Sequence, residues 1–411
     1  MATKTTADAA LKEDYQPMIR EQINNEVYLL TYIEKNSKDI ETTSTGGRRA
    51  ILSLHTTRNW GVGARTEGGT LPTAGSQGYT EQRVSLRYQY ATGTLSGPLM
   101  SSTEQGAWAF AKAMDEETTR MGDDLKRQVN RQLWGTADGI IAATTMTTNS
   151  VVINLASTVT DVQFRQLEVG MPVDIGTVAS PTSRTSNNAI ASTGGTAGAY
   201  TITLTTAATA TTTEYIFLTG DGGGPGTGQI ELTGLQYIVD SAGTLFNIAP
   251  GTVPLWAATE NDNSGTNRAL SENLMENVYD TVRIQSGDEP NLIVTHHGVR
   301  RAFAALMQSQ KRFVNTVNLT GGYGSGLEFV AGGRTVPVVV DRDAPANQMF
   351  FLNTKHLTEY QGNDWEFIDR DGSILHWLGT TDAYSFAMCK YLELATDRRN
   401  AHGKLTDITA A

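Results

Sequence analysis

A single cysteine, Cys389, stands in a chain of 411 residues. Alone, it closes no intramolecular disulfide and excludes a zinc site built from cysteines, so it is read as a core residue. Proline is scarce too, at 11 residues, and the 39% apolar content is that of ordinary folded domains, which excludes collagen-like and disordered classes. No apolar run approaches the roughly 18 residues that a membrane-spanning helix needs, so no membrane partner is expected. The first residues, Met1 to Asp8, carry an acid and no apolar stretch. No secretory signal is visible there, and a protein made and used without export is expected. At roughly 150 residues per domain, the length predicts two or three domains.

Charge is scarce in one sign locally. The chain carries a net −11, yet residues 46–100 hold six Arg, no Lys and two Glu, for a net +4. Residues 135–260 hold only Arg165 and Arg184 against nine acids, for a net −7. An acidic whole argues against a dedicated nucleic-acid binder, whose domain would carry a basic face. An Arg-only stretch among acidic segments suggests an arm that grips acidic surface, including surface on another copy.

The pattern along the chain predicts distinct segments. Apolar residues at three- and four-residue steps over 11–35 predict an amphipathic helix. Strict alternation in Arg83-Val84-Ser85-Leu86-Arg87-Tyr88-Gln89-Tyr90 predicts a strand with Val84, Leu86, Tyr88 and Tyr90 on one face. A weaker strand lies at 50–57, and six glycines with Pro72 separate the two over 61–78. This reads as a long hairpin with a Gly-rich tip, which alone in water is marginal and must lie on another surface. Ser101-x-x-Glu104 has the form of a capping box and Gly135 is a stop, bounding about 31 residues and a rod of roughly 46 Å. Its apolar seam runs through Ala107, Ala111, Met114, Thr118, Met121, Leu125 and Val129. Residues 140–228 are rich in Thr, Ala and Gly with short strand candidates, a compact all-β insertion. After a helical 270–286, an α/β pattern begins at Asn291, with strands at 291–295, 335–340 and 349–352 and a helix at 298–313.

Chemistry is sparse. The glycine run 220–228 has no Lys to meet phosphates, so it is read as a linker. Gly321-Gly322-Tyr323-Gly324 opens no predicted helix, so no dinucleotide site is read there. Asp369-Arg370-Asp371-Gly372 resembles the start of a calcium loop but lacks its twelfth-position Glu and following helix, and is read as a tight turn. His296 and His297 follow a strand but have no acid at metal-ligand spacing. No nucleophile elbow occurs. No catalytic, metal or cofactor site is assigned, and no enzyme is expected.

The ordered set of segments, an arm, an Arg-rich hairpin, a long helix, a β insertion and an α/β end, resembles the major capsid proteins of tailed bacteriophages. Phrases such as Leu232-Thr233-Gly234-Leu235, Val253-Pro254-Leu255-Trp256 and Val336-Pro337-Val338-Val339-Val340-Asp341-Arg342 add to the likeness. The resemblance implies an α+β, Hong Kong 97-like capsid fold: N-terminal arm 1–45, extended loop (E-loop) hairpin 46–100, and peripheral-domain spine helix 101–139. It continues with an insertion domain 140–228, more peripheral domain 229–289, an axial domain 290–345, peripheral strands 346–385 and an axial C-terminal strand and tail 386–411. It implies hexamers and pentamers closing an icosahedral shell around double-stranded DNA, held without sequence specificity. The expected contacts between copies are Arg48, Arg49, Arg58, Trp60, Arg65, Leu71, Arg83, Arg87, Tyr88 and Tyr90, with Gly321, Gly322, Tyr323 and Gly324 facing the capsomer centre. The remaining implied partners are a separate scaffolding protein, a portal and a decoration or cement protein. Location is the virion, with assembly in the host cytoplasm. Residues 46–100 contain no Lys, so the isopeptide chain-mail of some relatives is not expected. Alternatives are another self-associating structural protein (tail tube, fibre or surface array) and an α/β hydrolase.

Overall fold

The computed structural model describes residues 29, 32–36, 49–98, 109–225, 228–310, 328–369 and 372–410. Most of the predicted 11–35 helix, the capping box at Ser101, Arg48 and Gly321–Gly324 lie outside them.

After a short strand β1 (Glu34–Asn36), the predicted hairpin forms from β2 (Arg49–Thr57) and β3 (Gly78–Ser85), antiparallel with Arg49 opposite Ser85. The alternating segment is not one strand. β3 stops at Ser85, and β4 (Arg87–Ser96) starts past Leu86 in another sheet. The faces therefore do not carry through: Val84 is buried, whereas Tyr88 and Tyr90 are exposed and Gln89 turns inward. The long helix α1 (Ala109–Leu133) buries Leu125, Val129 and Leu133 along its C-terminal half, and Trp134 follows into the core. It closes with the Gly135 N–H donating to the Gln132 carbonyl at 2.9 Å. Gly234 crosses this end so closely that a Cβ there would stand 2.2 Å from the Gly135 oxygen, which only glycine permits.

The insertion consists of β5 (Ala142–Ala143), β6 (Thr147–Asn154), a short helix α2 (Asp161–Arg165), β7 (Pro172–Thr177), β8 (Ser180–Thr196), β9 (Ala199–Ala210) and β10 (Tyr215–Leu218). Their order is β5-β10-β7-β8-β9-β6. The ends of that row meet: Thr144 bridges Leu155, the Thr145 N–H donates to Asn154 and the Ala156 N–H to Ala143, both at 2.9 Å. The sheet is thus closed into a barrel filled by Ile153, Val173, Ile175, Ile202 and Leu204. The 17-residue β8 was not legible, because it is built almost wholly of Ser, Thr, Asn, Ala and Gly.

The rest comprises α3 (Leu235–Ile238), β11 (Thr259–Asn261), α4 (Glu272–Ser286), β12 (Leu292–Thr295), α5 (His297–Gln310), β13 (Glu328–Ala331), β14 (Arg334–Val340), β15 (Met349–Leu352), β16 (Leu357–Phe367), β17 (His376–Trp377), β18 (Ala383–Thr396) and β19 (Gly403–Leu405). Helix α4 begins at a Ser271 cap and ends at Gly287 with φ 76°, a left-handed stop suited to glycine. Six strands form one sheet in the order β11-β19-β15-β12-β14-β13. One face of it packs on α4 and α5 through Ile293, Met349, Phe351 and Leu405. The opposite face sends Leu292, Val294, Phe350 and Leu352 into a core shared with Val129, Leu133 and Trp134.

A second sheet orders β1-β16-β18-β17, with β4 on the other edge of β18. Residues 346–385 and 386–411 do not behave as blocks. β15 joins the first sheet, β16 to β18 the second, and β19 returns to the first. Between β15 and β19 the chain crosses between sheets twice, and strand alternation carries no record of which sheet a strand joins.

Candidate assembly surface

The hairpin is anchored at one end and bare at the other. At its base Ala50 and Val84 pack on Tyr360 and Ala395, and the Gln82 amide donates to the Thr396 carbonyl at 2.8 Å. At its tip, residues 58–77 are stitched only locally. The Asn59 carboxamide oxygen accepts from the Gly61 N–H at 2.7 Å, and Arg65 donates to the carbonyls of Thr70 at 3.0 Å and Ala64 at 2.9 Å. A Cβ on Gly61 would lie 2.9 Å from both the Gly75 nitrogen and the Thr73 oxygen, so the backbone leaves little room for a side chain where the two limbs approach. Trp60 is 80% and Leu71 82% exposed, with Val62 and Tyr79 similarly bare. Large apolar side chains offered to water on a projecting ribbon mark a surface that is covered by something else.

The expected arginines divide. Arg49, Arg58 and Arg65 are exposed along the hairpin. Arg58 lines a groove of about 250 Å³ together with Leu54, Trp256, Asp397 and Arg398. Arg83 pairs with Glu81 at 2.9 Å on the same exposed strand face. Arg87 differs, because its guanidinium is engaged inside its own chain. It donates to the Glu393 carboxylate at 3.1 Å and to the backbone and side-chain oxygens of Gln229 at 2.7 and 2.9 Å. Tyr88 and Tyr90 lean edge-on against Tyr391, with centroids 5.0 and 6.1 Å apart.

Sequence reasoning missed the belt that fixes this base. Residues 229–234 run between α1, β4 and β18. The Thr233 N–H donates to Glu393 at 2.7 Å, the Leu232 N–H to Gln132 of α1 at 3.2 Å, and Arg131 pairs with Glu231. Gln132 in turn bonds Gln89 of β4 at 3.0 Å. Burial pushes both Glu231 and Glu393 up to about 7, against the pull of Arg131 and Arg87. A second buried pair, Lys390 and Glu359, is joined at 2.5 Å, with the ammonium 5.0 Å from the Trp365 ring centre. The signal was present in the sequence: Lys390 and Glu393 interrupt an otherwise apolar strand, and charges there are retained when partnered.

The His296 and His297 rings stand nearly perpendicular with centroids 5.6 Å apart, and burial lowers His296 to about 4. Among the described residues, no group of three His, Cys, Asp or Glu is arranged to hold a metal. Cys389 is buried, as the sequence suggested.

A projecting ribbon, a long helix across a mixed sheet, a closed insertion barrel and a second, helix-backed sheet define a Hong Kong 97-like capsid fold. The fold is similar to that of the cyanophage A-1(L) capsid, at 15% identity and TM-score 0.63, covering 99% of this chain and 100% of that one. It is also similar to the capsid of the native GTA particle, at 12% identity and TM-score 0.55, covering 99% of both chains. No curated protein matches the chain. The family model of the SU10 major capsid protein matches residues 177–409, and the chain belongs to that family. It is therefore a structural shell protein of a phage virion, not an enzyme, and it associates with copies of itself in the capsid.

Proposed function

We propose that copies of this chain form hexamers and pentamers and close as an icosahedral shell around the double-stranded DNA of a tailed phage. The observation that carries this reading is the hairpin, fixed at its base and bare at Trp60 and Leu71. In this reading it is the extended loop, and Arg49, Arg58, Trp60, Arg65 and Leu71 reach a neighbouring copy, with Arg83, Tyr88 and Tyr90 nearer the base. Helix α1 is the spine of the peripheral domain, and the sheet backed by α4 and α5 is the axial domain. Gly321, Gly322, Tyr323 and Gly324 belong beside the capsomer centre. Assembly takes place in the host cytoplasm with a separate scaffolding protein and a portal, and a decoration protein joins the finished shell. DNA lies against the inner surface without sequence specificity, consistent with the net −11 of the chain.

Deleting residues 61–78 tests the reading by negative-stain microscopy. The expected product is a folded subunit that makes no closed particles; normal shells from it would refute the role of the hairpin. A ladder of covalent oligomers on denaturing gels would overturn the expectation that these shells lack isopeptide cross-links.

A further inference from the structure

The sheet β11-β19-β15-β12-β14-β13 carries α4 and α5 on the same face but over opposite ends. Helix α4 packs on β11 and β19, and α5 packs on β14, beside the other edge. Both insert apolar residues into one core, Val278 and Val282 from α4 and Val299 and Phe303 from α5. Their outward faces carry opposite charge. Helix α4 exposes Glu272, Glu276 and Asp280 at four-residue steps, and Ile284, one step further, is 83% exposed. Like charges at that spacing weaken a helix by themselves. The one cation of α4, Arg283, is engaged with Glu289 at 3.3 Å at the helix end. Helix α5 contains no acid and exposes Arg300 and Arg301. Among the described residues Glu276, Asp280 and Arg300 make no ion pair.

We propose that the acidic face of α4 docks on the basic face of α5 of a second copy, as the head-to-tail contact that closes a ring of subunits. The inference rests on the capsomer reading above and adds the residues that make the contact. Two different faces that match each other generate a ring when their rotation closes. Opposite potentials favour the correct neighbour and disfavour the reversed one, in which acid would meet acid. Ile284 supplies an apolar end to the acidic ridge.

The test uses the full chain, with rings counted by native mass spectrometry and negative stain. The first variant carries Glu276→Arg and Asp280→Arg, the second Arg300→Glu and Arg301→Glu, and the third all four changes. Unfolding midpoints of the subunits are measured alongside, so that a folding defect is separated from an assembly defect. The first and second variants should each need about tenfold more protein than wild type to form rings, and the third should return to within about threefold. An equimolar mixture of the first two should recover six-membered rings but not five-membered ones, because only an even ring alternates the two partners. Wild-type rings should also weaken as salt is raised. Wild-type rings with undiminished assembly of both single-face variants would overturn the contact and leave the capsomer reading standing. The same holds if the third variant folds but does not recover. A wild-type chain that forms no rings would overturn both, and capture of a different basic protein by α4 would replace the second copy as its occupant.

Discussion

Replacing Arg87 with Met separates a role inside the subunit from a role between subunits. Glu393 is 1% exposed and accepts from Arg87 at 3.1 Å, from the Thr233 N–H at 2.7 Å and from the Leu394 N–H at 3.1 Å. Without Arg87 the carboxylate keeps its two backbone donors but loses its counter-charge in a buried setting. Breaking a buried pair in this way costs about 3–5 kcal/mol. The carboxyl escapes by taking up a proton, which it already holds up to about 7 in the folded chain against an ordinary 4.5. A folded value raised above the unfolded one contributes stability that is complete below 4.5 and lost as pH rises through 7. The variant moves the upper end of that window higher. At pH 8.5 the loss should approach about 3 kcal/mol; at pH 6, with Glu393 neutral, only the Gln229 hydrogen bonds are missing, at about 1 kcal/mol. Guanidinium unfolding of the isolated subunit at the two pH values measures both, and Arg87→Met with Glu393→Gln should recover most of the alkaline loss. Equal losses at both pH values, or unchanged subunit stability with failed assembly, would refute the reasoning and return Arg87 to the surface between copies.

Trp60→Ala with Leu71→Ala should shift subunit unfolding by no more than about 0.5 kcal/mol while shell yield collapses; a destabilised subunit would show that the tip belongs to its own core. Gly93→Ala places a Cβ 2.4 Å from the Phe386 ring, so an overpacking loss of about 1–3 kcal/mol is expected in thermal unfolding, relieved by Phe386→Leu. Burial lowers His402 to about 4, so its contribution is complete above the ordinary 6.5 and lost as pH falls toward 4. His402→Gln should flatten that acid limb in a pH series of unfolding midpoints, and an unchanged slope would count against the buried neutral ring.

What could be read in advance was local. The hairpin strands, α4, α5 and the apolar strands β12, β14 and β15 announce themselves by periodicity and caps, because burial of one face sets the spacing. The break at Leu86 did not, since alternation is preserved on both sides of it while the pairing partner changes. Nor did β8, whose small polar residues show no apolar alternation and which is paired on both edges, with β7 and β9. Among the expected contact residues, Trp60 and Leu71 lie bare at the tip, but Arg87 is turned inward by Glu393, 306 positions away along the chain. Such a partner has no local signature; an acid inside an apolar strand is the nearest warning.

The joining of β5 to β6 has a consequence for a protein that exists as a repeated surface. A lattice sets identical patches at short, fixed spacing, and an open strand border offers unpaired N–H and C=O groups to a neighbour's. A module whose first and last strands hold each other has no such border to offer. Its outer Thr and Ser positions are then released from fixing the register. Substitutions at those outer positions should leave the pairing of the barrel intact.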